Sequence, residues 1–135
     1  MKTTKLILVS LVLILFVSVS VFAQSNSKVI AVVNHADWCS ACKNNGERAQ
    51  ATFKSNNADG TIQFVVNNLT NDETKAQSTE TLKMLGLEKA MAEYKGTGMV
   101  YFFDADSKKL INKITVGKSN QELAQALSTA KNGAK

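Results

Sequence analysis

The chain has 135 residues, carries 16 Lys and Arg against 11 Asp and Glu for a formal charge of +5, and contains two cysteines, one histidine and no proline. That length suits one domain of ordinary size, and the lysines recur singly instead of clustering with aromatics as a nucleic-acid surface requires. Two cysteines and one histidine also fall short of a four-ligand Cys/His zinc site and of a multi-disulfide framework.

Met1-Lys2-Thr3-Thr4-Lys5 gives a basic start, and residues 6–22 form an apolar run broken only by Ser10, Ser18 and Ser20. Val21-Phe22-Ala23 then supplies small residues at the positions a signal peptidase reads. The order predicts a secretory signal over residues 1–23 and a mature domain over residues 24–135, with 14 basic and 11 acidic residues for a charge of +3. No cysteine flanks the junction to carry a lipid. The alternative is an uncleaved leader, since the run approaches the ~20 residues that span a bilayer. Either way the domain is expected outside the cytoplasm, periplasmic or secreted, or anchored at its N-terminus and facing the periplasm.

Residues 28–34, Lys-Val-Ile-Ala-Val-Val-Asn, are a β-branched apolar run of strand length, as for a strand covered on both faces. The pattern turns helical from Ser40 to about Ser55, with Cys42, Ala49 and Phe53 on one face, and Asn56-Asn57-Ala58-Asp59-Gly60 supplies a stop. Residues 61–67 read as a second strand. Thr70 and Glu73 stand at capping-box spacing before a helix that restarts near Gly86, where Leu87, Ala90, Met91 and Tyr94 repeat with helical period. Residues 99–103 and 110–116 read as a hairpin joined by the turn-rich segment 104–109. Ser119 and Glu122 form a second capping box opening a last helix with Leu123, Ala126 and Leu127 inward. The order βαβαββα predicts an α/β sheet with helices on both faces.

Both cysteines fall in Trp38-Cys39-Ser40-Ala41-Cys42-Lys43, at the first turn of the predicted helix. Unpaired N–H groups and the positive end of the helix dipole favour a thiolate at Cys39, while Cys42, one turn further in, is expected to be more buried and more weakly ionised. Such a pair supports thiol–disulfide exchange, with Cys39 as nucleophile and Cys42 as resolving thiol. A purely stabilising staple is a poor use of the pair, because closing a loop of about 4 residues contributes only ~1.9 kcal/mol against ~3 for 15 residues. His35, four residues before Cys39, is either a bystander or an electrostatic tuner of its thiolate, a role also open to Lys43. With the two thiolates it also leaves copper binding open, whereas Lys43 in place of histidine after Cys42 argues against covalent haem.

Residues 36–43 resemble the W-C-x-x-C-K segment of the thioredoxin family. Residues 96–103 are similar to the loop and strand that face its cysteines, and Val116-Gly117 resembles the family's ending. The resemblance spans essentially the whole mature domain and implies a thioredoxin-like fold with a central mixed β-sheet. It also implies a substrate groove formed by Trp38, Thr97, Gly98 and Met99, where an extended peptide pairs with backbone. Three positions depart from the family. Gly98 stands where a cis proline is usual, Val33 where many members bury an acid, and Ser40-Ala41 where housekeeping members have Gly-Pro. The expected activity is thiol–disulfide exchange on exported protein or peptide disulfides, in the reducing or isomerising direction. No cofactor or metal is expected beyond a redox-active Cys39–Cys42 disulfide. The expected partners are these disulfides and a redox donor or acceptor, with no nucleic acid, membrane contact only through a retained leader, and a monomeric chain. The alternative is a binding module that holds a metal or a partner through the same pair without turnover.

Overall fold

The computed structural model describes residues 26–135, so the leader and the cleavage site expected after Ala23 lie outside the described residues. Strand β1 (Val29–His35) is followed by helix α1 (Ser40–Ser55), strand β2 (Ile62–Asn68), helix α2 (Asp72–Met84) and a single-turn helix α3 (Glu88–Met91). Strands β3 (Met99–Asp104) and β4 (Leu110–Thr115) then precede helix α4 (Asn120–Gly133). The strands lie in the order β2-β1-β3-β4. β1 runs parallel to β2, with Val33 opposite Val66, and antiparallel to β3, with Val33 opposite Val100. The sheet is therefore mixed, and of its two buried central strands, β1 and β3, the first is the apolar run that leads into the cysteines.

Side-chain alternation along β1 and β3 splits the core into two layers. Val29, Ala31, Val100 and Phe102 pack with Ala49 and Phe53 of α1 and Leu123 and Leu127 of α4. Ile30, Val32, Tyr101 and Phe103 pack on the opposite face with Leu82, Leu87 and Met91. Both Phe102 and Phe103 are fully buried. Each contributes about 1.5–3 kcal/mol by leaving water, so this adjacent pair ties both layers to one strand.

Two local expectations shift. The cap of α2 is Asn71, whose side chain accepts the Thr74 N–H while Thr74 reaches back to the Asn71 N–H. Thr70 is unavailable for that role because its hydroxyl bonds Asn68 and the Asp37 N–H. Beyond Gly86, which has φ +71, the helical repeat closes only one turn. Leu87 and Met91 are buried, whereas Tyr94 lies past the helix, half-buried and stacked on Tyr101 at 4.6 Å. The box at Ser119 and Glu122 forms as expected.

Candidate functional site

The cysteines sit where β1 hands the chain to α1. Ala36, fully buried, accepts the Cys39 N–H at 3.1 Å, and this turn aims Cys39 along the helix axis. Cys39 is itself the N-cap of α1, with extended φ and ψ, and its Sγ accepts the Cys42 N–H at 3.3 Å. The first turn of α1 contains no acidic residue, so the positive end of its dipole acts on this sulfur without competition. The Cys42 thiol donates to Cys39 Sγ across 2.6 Å, and both cysteines are free.

The two thiols separate in acidity. Burial pushes Cys39 up, but hydrogen bonds from Cys42, the Thr97 side chain and the Cys42 and Ala41 amides outweigh it and hold the thiol below its ordinary value. Burial pushes Cys42 up, reinforced by its proton being held on Cys39 and by the charge there. The order of ionisation follows the sequence reading, but the order of exposure does not. Cys39 is only 6% exposed and Cys42 is half-buried. Gly98 packs beside this site: a Cβ there would stand 3.6 Å from Cys39 Sγ and 3.2 Å from the Ala41 Cβ.

Gly98 has φ +74, in the left-handed region that favours glycine, and every peptide bond among the described residues is trans. Its N–H donates to Asn34 O at 2.8 Å and its carbonyl accepts the Val116 N–H at 2.9 Å. The expected backbone pairing with a peptide therefore cannot use Gly98. Met99 is likewise held in the sheet between Asn34 and Thr115. Among the described residues, Thr97 alone in this segment leaves its N–H and carbonyl unpaired within the chain.

Trp38 projects from the same edge and is 61% exposed, yet its indole N–H donates to Thr70 O at 3.1 Å. His35 does not join the thiols. Its Nε2 pairs with Asp37 Oδ1 at 3.0 Å, and Lys43 is exposed. The hydrogen bonds that lower Cys39 against its burial come from Cys42, Thr97 and amides. Among the described residues no group of three or more His, Cys, Asp or Glu side chains gathers to hold a metal.

Two features escaped the sequence reading. Asn34 is fully buried, and its Nδ2 donates to Tyr94 O at 2.8 Å and Gly96 O at 3.1 Å, while its Oδ1 accepts from Asn67 Nδ2 at 2.9 Å. It thereby fixes the segment that carries Thr97 and Gly98. A polar residue closing an apolar strand was the only signal. The second feature is a groove of about 590 Å³ between α1 and the β1–β2 side of the sheet, with Cys42, Val33 and Gly98 in its walls. Val33, half-buried, thus presents an apolar wall beside Cys42.

Compared by structure, the chain is similar to crystal structures of Trxlp from Edwardsiella tarda EIB202 and of Malassezia sympodialis thioredoxin (Mala s 13). The first match has a TM-score of 0.50 at 17% identity, covering 77% of this chain and 85% of that one. The second has 0.51 at 16% identity, covering 79% and 80%. The chain has a thioredoxin-like fold. Compared by sequence, it matches no family model and no curated protein. Within this thioredoxin-like fold the two cysteines occupy the β1–α1 junction, and their proximity gives the site redox capability.

Proposed function

We propose that the protein is a thiol–disulfide oxidoreductase acting on disulfides of exported proteins or peptides. The observation that carries this reading is Cys39 standing as the N-cap of α1, its sulfur receiving the Cys42 amide at 3.3 Å and the Cys42 thiol at 2.6 Å. The Cys39 thiolate attacks one sulfur of the substrate disulfide and forms a mixed disulfide, while the other substrate sulfur leaves as a thiolate and takes a proton from solvent. Cys42 loses its proton and attacks Cys39. The mixed disulfide breaks, the second substrate thiolate departs, and a Cys39–Cys42 disulfide remains. A bond of about 2.05 Å requires only a small approach of the two sulfurs. An unidentified donor restores the dithiol, and the reverse sequence oxidises a substrate.

Trp38 and the unpaired main chain of Thr97 flank Cys39 and form the surface we assign to the substrate. The leader over residues 1–23 supports export, and cleavage after Ala23 would release the domain. N-terminal sequencing of protein recovered outside the cytoplasm tests that step. Reduction of insulin in the presence of a dithiol tests the chemistry. The wild type accelerates it, Cys39→Ser abolishes the acceleration, and Cys42→Ser accumulates a mixed disulfide. Equal rates for wild type and Cys39→Ser overturn the reading.

A further inference from the structure

Strand β2 ends the sheet on one side, and its outer backbone edge is open over a short window. The Leu69 N–H bonds His35 O and the Thr61 carbonyl accepts the Val29 N–H. The odd-numbered residues of this segment therefore turn their backbone groups toward β1, and the even-numbered ones turn theirs outward. Two of the outward residues are closed off. Asn57 takes the N–H and carbonyl of Ile62 at 3.0 and 2.7 Å, and Ser78 Oγ accepts the Asn68 N–H at 2.8 Å. Among the described residues, the outward N–H and C=O groups of Phe64 and Val66 have no hydrogen-bond partner. Nothing on the strand discourages pairing there, since residues 62–68 carry neither a charge nor a proline. The opposite edge is defended, with Lys113 on β4 and a register shift in its pairing with β3.

We infer that a second copy of this chain pairs here, β2 against β2, antiparallel about a two-fold axis through Val65, in place of the monomer expected from the sequence. That axis sets Phe64 of each copy opposite Val66 of the other, so every outward group of one window meets its complement. Val66, 57% exposed on the groove side of the sheet, then packs beside the partner subunit's Phe64. Helix α1 supplies a charge match. It runs antiparallel to β2, and Asn57 holds its end level with Ile62. At about 1.5 Å per helical residue and about 3.3 Å per strand residue, Lys54 stands roughly level with Gln63, Gln50 with Val65 and Glu47 with Val66. The axis therefore brings Glu47 of each copy level with Lys54 of the other, and Gln50 level with its own counterpart. All three side chains are exposed and line the groove beside β2, and neither Glu47 nor Lys54 has an ion-pair partner among the described residues. Because both copies use the same edge, assembly stops at two. The Cys39 sites then lie toward opposite ends of one continuous sheet.

The test uses the purified protein in reductant, where no intermolecular disulfide forms. Sedimentation equilibrium over a dilution series is expected to show a reversible monomer–dimer equilibrium. Amide exchange followed by NMR is expected to show the Phe64 and Val66 N–H groups gaining protection as concentration rises, whereas the Val65 N–H, held by β1, is protected throughout. Val66→Lys, at a position already exposed, should fold and stay monomeric. Glu47→Lys sets like charges together at both ends of the interface and should weaken association roughly fivefold or more, and Glu47→Lys/Lys54→Glu should restore it to within about twofold. A wild type monomeric at every concentration, a dimer indifferent to Val66→Lys, or protection of Phe64 and Val66 that does not depend on concentration overturns the inference. So does a double variant that associates no more tightly than Glu47→Lys alone. Should Val66→Lys fail to fold, the charge-swap pair decides by itself.

Discussion

Asn67 on β2 donates through Nδ2 to Oδ1 of Asn34 on β1 at 2.9 Å, across the parallel pair and beneath the segment that faces Cys39. Both amides are buried, and Asn34 spends its two donors on Tyr94 O and Gly96 O. A buried amide with this many partners is expensive to remove, because each orphaned group keeps its desolvation cost. Asn34→Ala is expected to destabilise the protein by about 2–4 kcal/mol, the sum of a few unmade buried hydrogen bonds. Asn67→Ala removes one of these bonds and should cost less. Urea midpoints at constant m-value measure both, and a loss under about 1 kcal/mol for Asn34→Ala would show that the segment is held by other contacts.

Gly98 carries two demands at once, a φ of +74 and a close approach to α1. Gly98→Ala is expected to cost about 1–2 kcal/mol from the left-handed backbone. It adds crowding, since the new Cβ would lie 3.2 Å from the Ala41 Cβ and 3.6 Å from Cys39 Sγ. Slower alkylation of Cys39 should accompany the loss of stability. A variant as stable as wild type with unaltered alkylation contradicts the close approach.

The thiol pair should titrate in two steps, Cys39 first and Cys42 later. Cys39 lies below its ordinary value because hydrogen bonds from Cys42, Thr97 and amides overcome burial. Iodoacetamide should therefore modify Cys39 well below the pH of a free thiol, about 8.5. Removing one of its donors with Cys42→Ala should move the midpoint upward without bringing it back to the free-thiol value, because the amides remain. A Cys39 midpoint at or above about 8.5 in the wild type refutes the assignment of a stabilised thiolate.

Asp104, at the end of β3, accepts N–H groups from Ser107 at 2.7 Å, Lys135 at 3.0 Å and Asp106 at 3.1 Å. The Ser107 and Lys135 amides lead in pulling its carboxyl down from 3.8 to about 2. Because the folded value is the lower one, its contribution is complete above the unfolded value and disappears as pH falls through the folded value. Acid should thus erode stability between pH 3.8 and about 2, and Asp104→Asn should flatten the curve in that window. Parallel pH profiles for variant and wild type across that range would exclude the effect.

The sequence alone determined the order of the elements, because period-2 and helical hydrophobic patterns and capping residues are local signals. The strand before the cysteines, the helix from Ser40 to Ser55 and the cap at Ser119 all stand as read. The position of Cys39 at a helix start was also legible, since a β-branched run ending next to it leaves a helix few other places to begin. The cap at Asn71 instead of Thr70 was not, because Thr70 is claimed by Asp37, 33 residues away in sequence. Nor was the exposure of the two cysteines. Helical position placed Cys42 deeper, but Gly98, distant in sequence, packs beside Cys39 and a groove opens beside Cys42. Such contacts depend on how β3 lies against β1, and residue spacing along one segment carries no information about a neighbour brought in by the sheet.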